Sequence, residues 1–192
     1  MLNAADYGVP QNRKRVIFLG ISKAFNKEKR EKMFSNFPPI KTNTPKIGEK
    51  LNIYKTLKQA IYDLPEPNTK KGKLIPNHIG TNHAVKINGY LGNRKLYWDK
   101  PSPTIVGRGG GTGGPVIAVH PNLKRRFTVR ETARIQTFPD NFIFTGSVSS
   151  QYRQIGNAVA VDFAKKLGES LSEIEKLSSG SKLAKSHKLT IV

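Results

Sequence analysis

Three features predict an α/β fold: an apolar run of strand type close to the amino terminus, helical spacing of apolar residues in later segments, and β-branched runs on either side of a glycine-rich loop. Arg15-Val-Ile-Phe-Leu-Gly-Ile21 is continuous and bounded by polar residues, the pattern of a strand buried on both faces. Such a strand needs neighbours. Residues 23–34 are charged and helix-tolerant, and Phe37-Pro-Pro39 and Thr44-Pro45 then punctuate the chain, which predicts a short surface helix followed by a loop. Between Tyr54 and Leu64 apolar residues recur at Tyr54, Leu57, Ile61 and Leu64, a helical spacing that stops at Pro65. Residues 65–72 have the composition of a linker. Residues 104–106 and 116–119 read as two strands around the glycines. Thr128 and Glu131 stand in the order of a capping box, predicting a helix from Phe127 to Gln136 that ends before Pro139. A last helix is expected from Ala158 to Leu171, with Val161, Ala164, Leu167, Gly168 and Leu171 on one stripe. After Lys176 the composition predicts a frayed tail.

At 192 residues and 36% hydrophobic content, the chain is poorly supplied for a self-sufficient core. Its formal charge of +20 calls for a polyanionic partner, nucleic acid first. The excess is strong in the middle, where residues 70–126 hold eleven basic side chains and one acid, Asp99. The sequence has neither an apolar run long enough to span a membrane nor a basic amphipathic helix suited to an interface, so it reads as soluble and cytoplasmic with no membrane partner. Zero cysteines exclude disulfides, thiolate metal sites and a cysteine nucleophile. The four histidines, His78, His83, His120 and His187, lack metal spacing, so no metal is expected; His78 and His83 read as surface or DNA-side polar groups.

Gln11-x-Arg13-x-Arg15 places two guanidinium groups two residues apart as the chain enters its first strand. Alternate strand residues share a face, so both forks can converge on one anionic target; two solvated arginines at a strand edge remain the plainer alternative. Gly109, Gly111 and Gly114 satisfy a G-x-G-x-x-G spacing, but Pro115 and a β-branched run follow where a nucleotide loop would open a helix. A hairpin-like loop fits better. At Gly109, Gly110 and Thr112 its backbone could approach a DNA groove, with Arg108 reading guanine or holding phosphate. Arg94 and Lys95 are further DNA-contact candidates, reading sequence or only binding phosphate. Arg130 and Arg134 lie four apart on a predicted helix and, by themselves, read as surface arginines. Residues 154–159 are expected to open the last helix, where free N–H groups favour polar or anionic ligands or where Asn157 simply caps.

Taken in order, Tyr7-Gly-Val-Pro-Gln-Asn-Arg-Lys-Arg15, the stretch from Phe127 to Phe142 containing Arg-Glu-Thr-Ala-Arg-Ile-Gln-Thr-Phe-Pro-Asp, and Gln154-Ile-Gly-Asn-Ala-Val-Ala160 resemble the eighth, ninth and tenth motifs of the cytosine-5 DNA methyltransferases. The resemblance implies that Gln11, Arg13 and Arg15 serve the flipped target cytosine and its phosphates. It places the glycine loop in a target recognition region, gives Arg130 and Arg134 scaffold roles, and puts Asn157, Ala158 and Val159 on the S-adenosylmethionine side. Ala160 stands where the family often has proline. The implied architecture is part of a Rossmann-like methyltransferase domain over residues 1–66, a small, mostly β recognition domain over 67–150, a returning helix over 151–176 and a tail over 177–192.

Methylation at carbon 5 requires a thiolate nucleophile, an acid for the ring nitrogen and a held methyl donor. The family supplies these from a Pro-Cys motif, a Glu-Asn-Val motif and a glycine-rich strand turn, and none of the three occurs in this sequence. The expected partners are therefore double-stranded DNA and a catalytic-half polypeptide carrying those motifs, with the chain inactive alone. Its start just ahead of the eighth motif fits a split subunit or a truncated remnant, and a non-enzymatic basic DNA-binding module is the alternative.

Overall fold

The computed structural model describes residues 1–81, 85, 95–108 and 119–178. Four two-residue strands lie within the first 53 residues and the later named elements of the described residues are helices, an α/β mixture in the coarse sense. β1 (Leu2–Asn3) enters a 3₁₀ turn over Ala4–Tyr7, closed by Gly8 at φ 83°, a left-handed conformation that favours glycine. The return brings β2 (Lys14–Arg15) antiparallel to β1, with Leu2 opposite Arg15. Further along, β3 (Asn43–Thr44) and β4 (Asn52–Ile53) pair in parallel.

The run from Arg15 to Ile21 is covered on one face, not on two. Ile17 packs on Ala4, Tyr7, Val9 and Phe163, whereas Leu19 and Ile21 pack on Phe25, Met33 and Ile174. Val16 and Phe18 stay 59% and 71% exposed. Only Lys14 and Arg15 belong to a ladder strand. The cover comes from α1 (Lys27–Phe34), capped by Asn26, and from α6 (Val161–Ser178). The last helix is thus well partnered within the chain: Phe163 stacks on Tyr7 at 5.2 Å between ring centres, and Ser170 Oγ donates to Asn36 O at 2.6 Å. Burying Phe163 and Leu167 contributes roughly 1.5–3 kcal/mol each.

The helix expected from Tyr54 starts later, as α2 (Leu57–Ile61) with a complete Thr56–Gln59 capping box. Tyr54 is drawn away because its hydroxyl bonds Asp6, and the first α2 amides, Leu57 N and Lys58 N, donate to Lys100 O and Trp98 O at 2.9 Å each. The segment expected as a linker holds a short helix, α3 (Lys70–Lys73), capped by Thr69. A Cβ at Gly72 would lie 2.1 Å from Glu66 O, so this stretch is packed on itself. The predicted capping box at Thr128 and Glu131 is complete and opens α4 (Val129–Ile135), whose Ile135 packs with Leu57 and Ile61 of α2.

A second, longer helix also escapes the sequence reading. α5 (Val148–Asn157), capped by Ser147, packs Tyr152 and Ile155 on Val129 and Ala133 of α4. Its signal was present: Val148, Tyr152 and Ile155 have the spacing of a buried stripe, masked by Ser149-Ser-Gln151 and Arg153-Gln154. Residues 154–157 therefore close α5, and the final helix opens at Val161. The expected strand over 104–106 is not a ladder strand; Ser102 N donates to Pro10 O at 2.9 Å just before it, and within it Thr104 Oγ1 donates to Asn12 O at 2.9 Å and Ile105 N to Gln11 Oε1 at 2.7 Å. Of the strand expected over 116–119, Val119 bridges Arg126, while 116–118, like the expected tail from 179, lie outside the described residues. Among the described residues of 67–150, helices and two isolated bridges, Ser102 to Gln11 and Val119 to Arg126, are found. No helix among the described residues is long and apolar enough to cross a membrane.

Candidate functional site

The three motif segments meet at one buried polar junction. Gln11 is fully buried; its Oε1 accepts from Ile105 N at 2.7 Å and its Nε2 donates to Gln136 Oε1 at 3.3 Å. Gln136 Nε2 in turn donates to Ile155 O at 2.6 Å. Beside this chain of amides, Arg13 Nη1 donates to Ile105 O at 3.0 Å, and Nη2 donates to Gly156 O at 3.0 Å and Ala158 O at 3.3 Å. Each partner solves the other's difficulty. The carbonyls that end α5 lack intrahelical partners and carry the negative end of the helix dipole, and a guanidinium supplies donors and charge together.

At this junction Gln11 and Arg13 turn inward, so the guanidinium groups of Arg13 and Arg15 do not lie side by side at the surface. Gln11 is 0% exposed and Arg13 6%, and their polar atoms are spent inside the chain. Burial, then the nearby charge of Arg15, pulls the Arg13 pKa down to about 10. Arg15 is the exposed member, its Nη1 donating to the neighbouring Lys14 O at 2.7 Å. The tenth-motif expectation changes too. Asn157, Ala158 and Val159 form the exit of α5, not the free N-terminus of a helix. The first amides of α6 are engaged, Val161 N with Gln136 O at 3.0 Å and Asp162 N with Thr137 Oγ1 at 2.9 Å. What residues 157–159 present outward is an exposed amide at Asn157 and an apolar Val159, 53% exposed.

Close backbone contact fixes the root of the glycine loop. A Cβ on Gly156 would sit 2.2 Å from Gly107 N, and one on Gly107 would sit 3.1 Å from Arg153 Cα. Arg108 follows at once and is exposed, as is Arg153, a cation the sequence reading missed because its helix was missed. Lys95 is exposed, its Nζ 5.5 Å from the Tyr97 ring centre. Arg94, Gly109, Gly110 and Thr112 lie outside the described residues, as do His83 and His187.

Arg130 and Arg134 are not surface arginines. Arg130 is 0% exposed and donates to Pro76 O, Pro139 O and Phe142 O at 2.9, 3.1 and 2.8 Å, tying α4 to two loops. Arg134 forms a fork on Asp140 at 2.8 and 2.6 Å and reaches Asp63 at 2.6 Å, which holds Asp140 below the usual carboxylate range. His78, expected at the surface, is buried between Thr128 Oγ1 at 3.0 Å and Pro65 O at 2.7 Å. Replacing Arg130 by methionine keeps much of the volume and removes the guanidinium from three carbonyls, Pro139 O keeping its bond from Phe142 N at 3.0 Å, so urea unfolding should show a loss of about 2–3 kcal/mol. A loss below about 0.5 kcal/mol, the level of ordinary surface substitutions, would deny the clamp its structural weight.

Comparison with known proteins agrees with these motifs. The profile of the C-5 cytosine-specific DNA methylases matches residues 1–173. Type II methyltransferase M.Sau96I of Staphylococcus aureus is 34% identical over 189 residues, covering 89% of this chain and 42% of that protein. Type II methyltransferase M.MthTI of Methanothermobacter thermautotrophicus is 36% identical over 199 residues, covering 90% of this chain and 55% of that protein. The chain thus spans about half the length of the curated relatives it matches. A solved structure of a DNA modification methyltransferase encoded within an E. coli prophage superposes with a TM-score of 0.56 at 21% identity, over 91% of this chain and 59% of that one, a likeness of fold. With the matched profile running through all three motif segments and their shared junction, the chain belongs to the family of C-5 cytosine-specific DNA methylases.

Proposed function

We propose that this chain is the DNA-recognition and cofactor-pocket-completing half of a DNA (cytosine-5-)-methyltransferase of a restriction-modification system. Joined to a catalytic half that carries the Pro-Cys and Glu-Asn-Val motifs, it methylates cytosine in a specific duplex site. The observation that carries this reading is the buried junction of Gln11, Arg13, Gln136 and Gly156. It ties the arm bearing Arg15, the root of the glycine loop at Gly107 and the turn at Asn157 into one unit. Arg15 supplies a planar cation toward the target base and its phosphates. Arg108, Arg153 and Lys95 supply charge for duplex DNA, and Arg94, Gly109, Gly110 and Thr112 complete the recognition segment.

The turn at 157–159 fits one wall of an S-adenosylmethionine pocket, because an exposed amide and an exposed valine suit a ligand with both a polar amino-acid end and an apolar face. When bound, that cofactor supplies an electrophilic methyl group. Asn157 can hydrogen-bond it, and Val159 can exclude water beside it. No cysteine is present to attack the base, and serine lacks the acidity and softness to replace it.

Transfer of labelled methyl from S-adenosylmethionine to DNA tests the reading, first with this chain alone and then with a catalytic half added. Activity only in the mixture is the expected result. Turnover by the chain alone would contradict the assignment, and silence in both with DNA binding retained would favour a non-enzymatic basic DNA-binding remnant. Replacing Arg108 by alanine should weaken duplex binding by about 1–3 kcal/mol at one base position if it reads guanine, or evenly across sequences if it holds phosphate. Protection of every site at unchanged affinity would retire it from the interface.

A further inference from the structure

The break between α5 and α6 is held from both sides by one residue pair that belongs to neither helix. On the near side, Gln136 Nε2 donates to Ile155 O at 2.6 Å. On the far side, Val161 N donates to Gln136 O at 3.0 Å and Asp162 N to Thr137 Oγ1 at 2.9 Å, the two amides that open α6. Residues 157–160 are therefore slung between anchor points on the first two residues after α4, which ends at Ile135. Gln136 is 0% exposed and can touch neither DNA nor cofactor. Thr137 sits at φ 57°, a left-handed conformation that is strained for a β-branched residue. Strain of this kind persists where the surroundings impose it. Here it aims the Thr137 hydroxyl at the first turn of α6.

We infer that Gln136 and Thr137 are positioning residues for the cofactor edge, setting the register of Asn157, Ala158 and Val159 through hydrogen bonds to the residues on either side of them. The resemblance assigns the ninth motif to organising the recognition domain; this pair at its end works in the opposite direction, toward the tenth motif. The inference rests on the placement of Asn157–Val159 beside S-adenosylmethionine proposed above.

The test measures, in a methylation-competent assembly of this chain with a catalytic half, the dissociation constant of S-adenosylmethionine by calorimetry and the KM for DNA. Gln136→Met, similar in length and without the amide, should raise the cofactor constant about five- to tenfold; because it also releases Gln11 Nε2 in the junction that carries Arg15, the DNA KM is read for selectivity on Thr137→Val, where it should change little. Thr137→Val carries the same backbone strain without the hydroxyl and should shift the cofactor constant in the same direction, which keeps the inference open to refutation should Gln136→Met fail to fold. A lower unfolding midpoint with both constants unchanged would make the pair merely structural and overturn the inference. Asn157→Ala separates the two levels. If it weakens cofactor binding while Gln136→Met and Thr137→Val do not, the positioning role falls alone; if it has no effect, the placement of the turn falls and takes the positioning role with it.

Discussion

Gly156→Ala should lower the free energy of unfolding by about 4 kcal/mol, more than an ordinary overpacking substitution. The added Cβ would stand 2.2 Å from Gly107 N, 2.4 Å from Gly107 Cα and 2.6 Å from Val106 C, all backbone atoms that no rotamer change can move. Relief requires α5 to retreat from residues 105–107, and that retreat pulls Gly156 O away from Arg13 and Ile155 O away from Gln136. The cost therefore includes hydrogen bonds as well as contact. Gly168 is the internal control. It is exposed on α6 and a Cβ there would meet nothing within 4 Å, so Gly168→Ala should stabilise by about 0.5–1 kcal/mol through helix propensity. Urea unfolding followed by circular dichroism measures both. Equal effects at the two glycines would mean that the approach of α5 to the loop root is not a constraint.

Arg15→Ala should cut the methylation rate of the reconstituted enzyme by about 100-fold or more, the scale seen when a preorganised electrostatic group is removed from a reacting centre. Duplex affinity should fall far less, because Arg15 is one cation in a chain of formal charge +20. Fold stability should hardly change, since the side chain is exposed and bonds the adjacent carbonyl. Arg13→Ala should behave differently. It removes the donor shared by Ile105, Gly156 and Ala158 and should lower stability and activity together. Single-turnover rates at saturating DNA separate the two arginines. If Arg15→Ala turns over normally there and loses only binding, its target-base role is refuted.

The contrast between these two arginines shows what pattern reading could and could not see. Their spacing predicts a shared face, and in an isolated strand both would point outward. The difference arises because the exit of α5 sets the Gly156 and Ala158 carbonyls against residue 13, which holds the inner guanidinium while the outer one stays exposed. Nothing local in Gln11-Asn-Arg-Lys-Arg15 encodes that. Likewise the apolar run after Arg15 announces burial, but the number of covered faces depends on where α1 and α6 lie.

By itself the sequence determined the motif order and hence the family, the capping box that opens α4, the basic character of the surface and the absence of a thiol. These are properties of composition and of residues a few positions apart, where side chain and backbone interact locally. Only the tertiary structure decided that Gln11 and Arg13 face inward, that His78 is buried, and that Gln136 holds the turn at Asn157. Those assignments depend on hydrogen bonds between residues 13 to 143 positions apart, which exist only once the chain has brought its distant segments together.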